Sequence, residues 1–159
     1  MQSFTPKRNV KFAGGVSLSL MIVALVLFAL AGMDIFAARA LLQLIATLFA
    51  VAGIFILTKY VLLSYVYTLS ENDGEYDLLI AQISGKKSTT VARISVSDIA
   101  EVKQIDASER SYGKAYDYSA ELLPKELLLL KIDEQGSVFY VKLLPDGDFI
   151  RALDSIRKN

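Results

Sequence analysis

Two long apolar runs without a charged residue constrain the fold of this chain most strongly. The first extends from Phe12 to Met33, 22 residues, and the second from Ala40 to Thr58, 19 residues. An α-helix needs about 20 apolar residues to cross the roughly 30 Å of hydrocarbon in a bilayer. A buried helix of a soluble protein rarely continues that far without a charged face. The sequence therefore predicts transmembrane helices over residues 12–33 and 40–63, joined by an extracytoplasmic turn at residues 34–39.

The basic residues around the first run predict its orientation. Lys7, Arg8 and Lys11 precede it, whereas the short connection contains only Arg39 together with Asp34. Cytoplasmic flanks of membrane helices carry an excess of Lys and Arg. We therefore expect a multi-pass protein of the cell membrane with residues 1–11 as a cytoplasmic basic segment and both termini in the cytoplasm.

A cleaved signal peptide is the alternative interpretation of the first run. The basic N-terminal residues and Ala29-Leu30-Ala31 followed by Gly32 resemble such a peptide and its cleavage site. However, the apolar run exceeds the usual signal-peptide core of about 7–15 residues. A second apolar run also follows after only six residues, which suits a helical hairpin. We favour two uncleaved spans and leave cleavage open.

Small residues within the two runs are candidates for helix packing. Spacings of four residues between small side chains allow helices to approach closely. The candidates are Gly15, Ser19, Ala46, Ala50 and Gly53. Proton relays and ion pathways normally place ionisable groups near the middle of a span, and neither run contains one. Packing of the hairpin on itself is the preferred explanation for the small residues.

The remaining residues, 64–159, predict a small cytoplasmic domain made mainly of strands. They contain 12 basic and 16 acidic side chains, whereas the first 63 residues contain five and one. Turn signals at Glu71–Gly74, Ser84–Lys86 and Glu134–Ser137 separate short runs of β-type residues. Phe149, Ile150, Leu153 and Ile156 then recur at helical spacing after Asp146, a potential N-cap. The predicted fold class is α+β: a transmembrane hairpin followed by an antiparallel barrel or sandwich of about seven strands with a C-terminal helix.

This arrangement resembles the bacterial membrane-anchored pleckstrin-homology-like (PH-like) proteins. The resemblance is carried by Tyr65–Leu69 entering the first strand, Gly85-Lys86-Lys87 in the second hairpin, Ile94–Val102 leading into the fourth strand, and Phe149–Ile156 in the closing helix. It covers nearly the whole chain and implies a PH-like domain at residues 64–159. It implies a fold and no particular activity.

The composition argues against most enzymatic chemistry. The chain has no His, Cys or Trp, so the usual structural metal and haem ligands and the commonest general base are absent. Seventeen basic and seventeen acidic residues leave no net basic charge for nucleic acid. Glu71, Asp73, Glu75 and Asp77 lack the spacing of a calcium loop and are better interpreted as a solvated hairpin tip. We predict a non-enzyme with no catalytic residue, cofactor or metal.

The expected partners are the bilayer, contacted through the two spans, and an unidentified protein. Tyr112, Tyr116 and Tyr118 are the candidate partner-binding residues, because aromatic side chains are enriched at interface hot spots; local packing on an edge strand is the plainer alternative. The acidic first hairpin argues against specific phosphoinositide binding. The predicted function is a membrane-anchored interaction or scaffold module. The alternative is a small accessory subunit of a membrane transport or envelope complex, with the hairpin making the decisive contacts.

Overall fold

The computed structural model describes residues 1–33, 39–106, 108 and 113–157, which fall into two compact units. The helical unit comprises residues 9–62. The sheet unit combines residues 1–8 with the chain from Leu63 onward. In sequence, the helical unit is therefore inserted between two parts of the sheet unit.

The helical unit consists of α1, Val10–Ala31, and α2, Arg39–Ile56, which a π-helical turn extends over Leu57–Leu62. Both helices are long and apolar enough to span a membrane, with 22 residues in Val10–Ala31 and 24 in Arg39–Leu62. The predicted boundaries, 12–33 and 40–63, differ from these by one or two residues.

A close contact between α1 and α2 explains one of the predicted packing glycines. The Ser17 hydroxyl donates a hydrogen bond of 2.8 Å to the carbonyl oxygen of Gly53. A Cβ atom at Gly53 would lie 3.2 Å from the Ser17 carbonyl oxygen and 3.1 Å from Cγ of Met21, so little room exists for a side chain. Ala46 is also fully buried.

The other predicted packing residues are placed differently. Gly15 and Ser19 are exposed, and Ser19 donates to the Gly15 carbonyl within its own helix, while Ala50 is half-buried. The buried residues of α1 are instead Ala13, Ser17, Ala24 and Ala31. Small residues occur on several faces of this helix, so their spacing does not identify the packed one.

The sheet unit contains two four-stranded sheets. The first has the strand order β1-β2-β3-β4 and is antiparallel throughout; its strands are β1 Gln2–Phe4, β2 Leu63–Asn72, β3 Glu75–Ser84 and β4 Lys87–Ser95. The second has the order β5-β7-β8-β6, with β6 parallel to β8; its strands are β5 Ile99–Asp106, β6 Ala115–Asp117, β7 Glu126–Glu134 and β8 Ser137–Leu143. A short 3₁₀ turn, Val96–Asp98, connects the sheets.

The α+β class and the terminal helix are confirmed, whereas the strand count and the antiparallel barrel need correction. The described residues form eight strands in two open sheets. The additional strand is β1, which precedes the helices and pairs with β2 through Gln2–Leu69, Ser3–Thr68 and Phe4–Tyr67. Three residues without a neighbouring turn signal give no strand pattern of their own, so only the distant partner reveals this strand.

Two hairpin turns have the geometry that their sequences predict. Asp73 and Gly74 have φ angles of 51° and 86°, and Gln135 and Gly136 have 51° and 86°. Two consecutive residues with positive φ form a type I′ turn, whose twist matches that of the flanking strands. These turns join β2 to β3 and β7 to β8.

One hydrophobic core unites both sheets with α3, Gly147–Arg157. Asp146 caps this helix, because its Oδ1 accepts hydrogen bonds from the backbone N–H groups of Asp148 and Phe149 at 3.0 and 3.1 Å. Phe149 and Leu153 are fully buried, as predicted. Tyr67 is also fully buried, and its ring packs against that of Phe149 with ring centroids 5.5 Å apart.

Candidate partner-binding groove

Two of the three predicted tyrosines lie together in the sheet unit. Tyr116 belongs to β6 and Tyr118 follows that strand, so their side chains share one face. Their rings are stacked with an interplanar angle of 9° and centroids 6.5 Å apart. Tyr112 lies outside the described residues.

The backbone around Tyr118 is fixed from two sides. Its N–H donates to the Lys142 carbonyl at 2.9 Å, and its carbonyl accepts a bond of 3.0 Å from the buried Tyr67 hydroxyl. The same hydroxyl accepts a hydrogen bond from the backbone N–H of Leu144 at 3.0 Å. Tyr67 therefore connects the first sheet to both β8 and the segment that carries the stacked rings.

Further aromatic contacts extend the pair of tyrosines across both sheets. Tyr65 of β2 meets Tyr118 edge-on, with ring centroids 5.4 Å apart. Phe139 of β8 meets Tyr116 in the same way, with centroids 5.8 Å apart. Edge-to-face pairs at these distances stabilise beyond the area that they bury, so the rings hold one another in place.

Tyr116, Tyr118 and Phe139 line a groove of about 400 Å³, which we name the aromatic groove. Val91 and Ile94 of β4 line the same groove. Tyr116 retains 40% of its exposure and Val91 37%, so both remain accessible to a partner. The groove thus combines a fixed aromatic wall with accessible apolar side chains.

The groove lies between the outer strands of the two sheets. β4 ends the first sheet and β6 ends the second. Ile80 pairs with Ala92 and Ala81 with Thr90, so Val91 is the extra residue of a β-bulge in β4. Bulges on outer strands twist the edge and hinder indiscriminate strand pairing. The bulge therefore favours recognition through side chains over simple extension of the sheet.

The electrostatics leave the groove without a dominant charge. The Lys114 ammonium lies over the Tyr116 ring, 5.4 Å from its centroid, and Glu134 lies at the groove as well. Arg93 forms an ion pair with Asp77, whose carboxylate oxygen is 2.5 Å away. Burial raises the pKa of Tyr118, and burial followed by the nearby Asp117 carboxylate raises that of Tyr65. Both phenols are therefore neutral at physiological pH, and the groove suits an uncharged, apolar segment.

The sequence predicts Tyr116 and Tyr118 as candidates but gives no signal for Val91 and Phe139 in the groove, or for Tyr65 beside it. These three residues come from three different strands, and only the tertiary arrangement brings them together. A residue pattern along one strand carries no signal for such a combination. Within the described ranges, no group of three or more acidic side chains is placed to hold a metal ion.

Comparison of the chain with known proteins identifies no relative. No protein-family model matches the chain, and neither the curated proteins nor the solved structures yield a match.

Proposed function

We propose that this protein is a membrane-anchored, non-enzymatic interaction module, whose PH-like sheet unit presents the aromatic groove in the cytoplasm to a segment of a protein partner. The observation that carries the proposal is the convergence of Tyr116, Tyr118, Phe139 and the bulged Val91 on one accessible groove. Hot spots of protein interfaces are enriched in aromatic anchors held in well-packed surroundings. The partner is expected to insert an apolar or aromatic side chain into this groove.

The pairing of β1 with β2 supports the proposed topology. Gln2–Phe4 belongs to the same sheet as Leu63–Asn72, and the helical unit lies between them in sequence. Only five residues lie between Phe4 and α1, too few to cross a bilayer as well as reach that sheet. The two termini are then on one side of the membrane, and the basic Lys7, Arg8 and Lys11 favour the cytoplasm. A reporter fused to the C-terminus should be active only in its cytoplasmic form; an external signal would contradict this topology.

Site-directed photo-crosslinking in membranes tests the groove. A photoreactive tyrosine analogue is placed at Tyr116 in the full-length protein and, as a control, at the half-buried Tyr76 in β3. We expect a crosslinked adduct from position 116 that Val91→Ser reduces strongly. Val138→Ser is the matched control, because Val138 is also an exposed valine next to the groove residue Phe139 but alternates to the other face of β8. Equal crosslinking from both tyrosine positions, or equal loss in both valine variants, would contradict the proposal.

Replacement of the helical hairpin separates this function from the accessory-subunit alternative. Residues 10–62 are exchanged for an unrelated two-helix anchor, and the groove-dependent adduct is measured again. The interaction module retains the adduct, because the groove is built from the sheet unit alone. Loss of the adduct with an intact sheet unit would instead indicate that the hairpin makes the decisive contacts.

A further inference from the structure

Leu123 combines an exposed apolar side chain with an unfavourable backbone conformation. Its side chain is 76% exposed, the largest value for a large hydrophobic residue in the described part of the sheet unit after the terminal Met1; Val138 follows with 45%. Its φ angle is 56°, in the left-handed region that a leucine rarely adopts. Backbone strain of this kind is concentrated at sites where it serves binding. An apolar contact outside the described part of the sheet unit would remove this side chain from water.

The loop of Leu123 lies at the end of the sheet unit where the chain departs for the helical unit. The Arg8 guanidinium donates a hydrogen bond of 3.4 Å to the Ala120 carbonyl and another to the carbonyl of Leu63. Arg8 is the last residue of the sheet unit before α1, and Leu63 is the first after the helical excursion. Leu123 is three positions after Ala120 in the chain, which places the two Cα atoms within about 11 Å. The exposed leucine is thus close to both chain connections.

We propose that Leu123 inserts into the interfacial layer of the same bilayer that α1 and α2 span, as an additional contact between the sheet unit and lipid. This inference rests on the membrane anchoring in the proposed function and is independent of the aromatic groove. Interfacial segments combine a few apolar side chains with neighbouring lysines. Lys125 is exposed two residues after Leu123, and Lys residues are attracted to the anionic cytoplasmic leaflet.

The surroundings of Leu123 favour lipid over a protein partner or a second copy of the chain. A protein interface requires a contiguous, well-packed core of buried residues. The neighbours of Leu123 are instead the half-buried Leu122 and Pro124, followed by the exposed Lys125. Glu121 offsets part of the positive charge through its electrostatic interaction with Arg8. A single protruding leucine with a lysine beside it matches shallow insertion and gives no specificity for phosphoinositides.

The absence of tryptophan from the chain allows a direct test. Leu123→Trp and Val138→Trp are made separately in the full-length protein, which is reconstituted into vesicles of zwitterionic and anionic phospholipids. Val138 is the matched control, because it is exposed and pairs with Asp133, about 20 Å along β7 from the Glu126 end that follows the loop. In vesicles brominated near the glycerol end of the acyl chains, L123W should lose most of its emission and be blue-shifted. V138W should show neither change.

The outcomes distinguish this inference from the proposed anchoring. Resistance of the protein to alkaline carbonate extraction is measured first and reports the insertion of the two helices. Resistance with unquenched, solvent-like L123W emission would overturn the lipid contact and leave the anchoring intact. A blue shift without bromine quenching would also overturn it, because a protein surface would then cover the residue. Extraction by carbonate would overturn both. Retention of the wild-type circular dichroism spectrum shows that either variant folds.

Discussion

Tyr67→Phe should destabilise the sheet unit more than the removal of one oxygen atom suggests. The ring of Tyr67 is fully buried in the core, and its hydroxyl both donates to the Tyr118 carbonyl and accepts from the Leu144 N–H, each at 3.0 Å. Phenylalanine fills the same space but leaves these two backbone groups without that partner. A hydrogen bond contributes about 0.5–1.5 kcal/mol, and an unsatisfied buried group costs about 1–3 kcal/mol. We therefore expect a loss of about 2–4 kcal/mol in the free energy of unfolding.

Urea denaturation of the full-length protein in detergent micelles measures this loss, with circular dichroism of the strands as the signal. Tyr65→Phe is the matched control, because Tyr65 lies two residues earlier on the same face of β2 and is only half-buried. Its hydroxyl should contribute less than about 1 kcal/mol. A Tyr67→Phe loss below about 0.5 kcal/mol, or one equal to that of Tyr65→Phe, would refute the bridging role of the buried hydroxyl.

The same residue predicts how stability changes at alkaline pH. Burial is the main cause that raises the pKa of Tyr67, and the nearby Asp117 carboxylate adds to it, while the Leu144 hydrogen bond and Arg8 act in the opposite direction. Above about pH 10 the unfolded chain loses this proton whereas the folded chain keeps it. The contribution of this group to the free energy of unfolding is therefore fully present below about pH 10. Above that pH the free energy of unfolding falls by up to about 1.4 kcal/mol per pH unit for each such tyrosine. Tyr67→Phe should make this fall shallower, and an unchanged slope would contradict the assignment.

Two further predictions concern the closing helix and lipid selectivity. Leu153→Ala should cost about 2–5 kcal/mol in the same urea assay, because Leu153 is fully buried against the core; a change below about 0.5 kcal/mol would mean that α3 is not docked. Adding phosphoinositides to the vesicles should not strengthen the quenching of L123W emission at physiological salt. The β2–β3 turn carries Glu71, Asp73 and Glu75, whereas a phosphate site needs basic groups. Stronger quenching that resists salt would refute this prediction.

Local turn chemistry is the reason that most strands could be predicted. The turns at Asp73-Gly74 and Gln135-Gly136 require positive φ at both positions, and the sequence provides residues that adopt it. The helix at residues 147–157 likewise has its cap at Asp146 and its apolar face in the expected places. These features depend on a few neighbouring residues, so a single sequence contains the whole signal.

The features that could not be predicted depend on contacts between distant segments. Ser3 of β1 bonds Thr68 across 65 residues of sequence, with hydroxyl oxygens 3.0 Å apart. The packed face of α1 is fixed by the bond from Ser17 to Gly53, not by the Gly15–Ser19 spacing. Tyr116 and Tyr118 are candidate partner-binding residues from the sequence only because they are aromatic. Their role in a groove depends on Phe139 and Val91, which nothing in their own segment indicates.

The discontinuous sheet unit bears directly on the signal-peptide alternative. Cleavage after Ala31 would remove β1 together with Phe4, whose ring packs edge-on against Phe149 with centroids 5.6 Å apart. It would also remove Arg8, whose guanidinium bonds the carbonyls of Leu63 and Ala120. The first sheet would then lose its outer strand and leave the β2 edge uncovered, which favours aggregation. Two uncleaved helices would keep the residues before α1, which complete the sheet that follows α2.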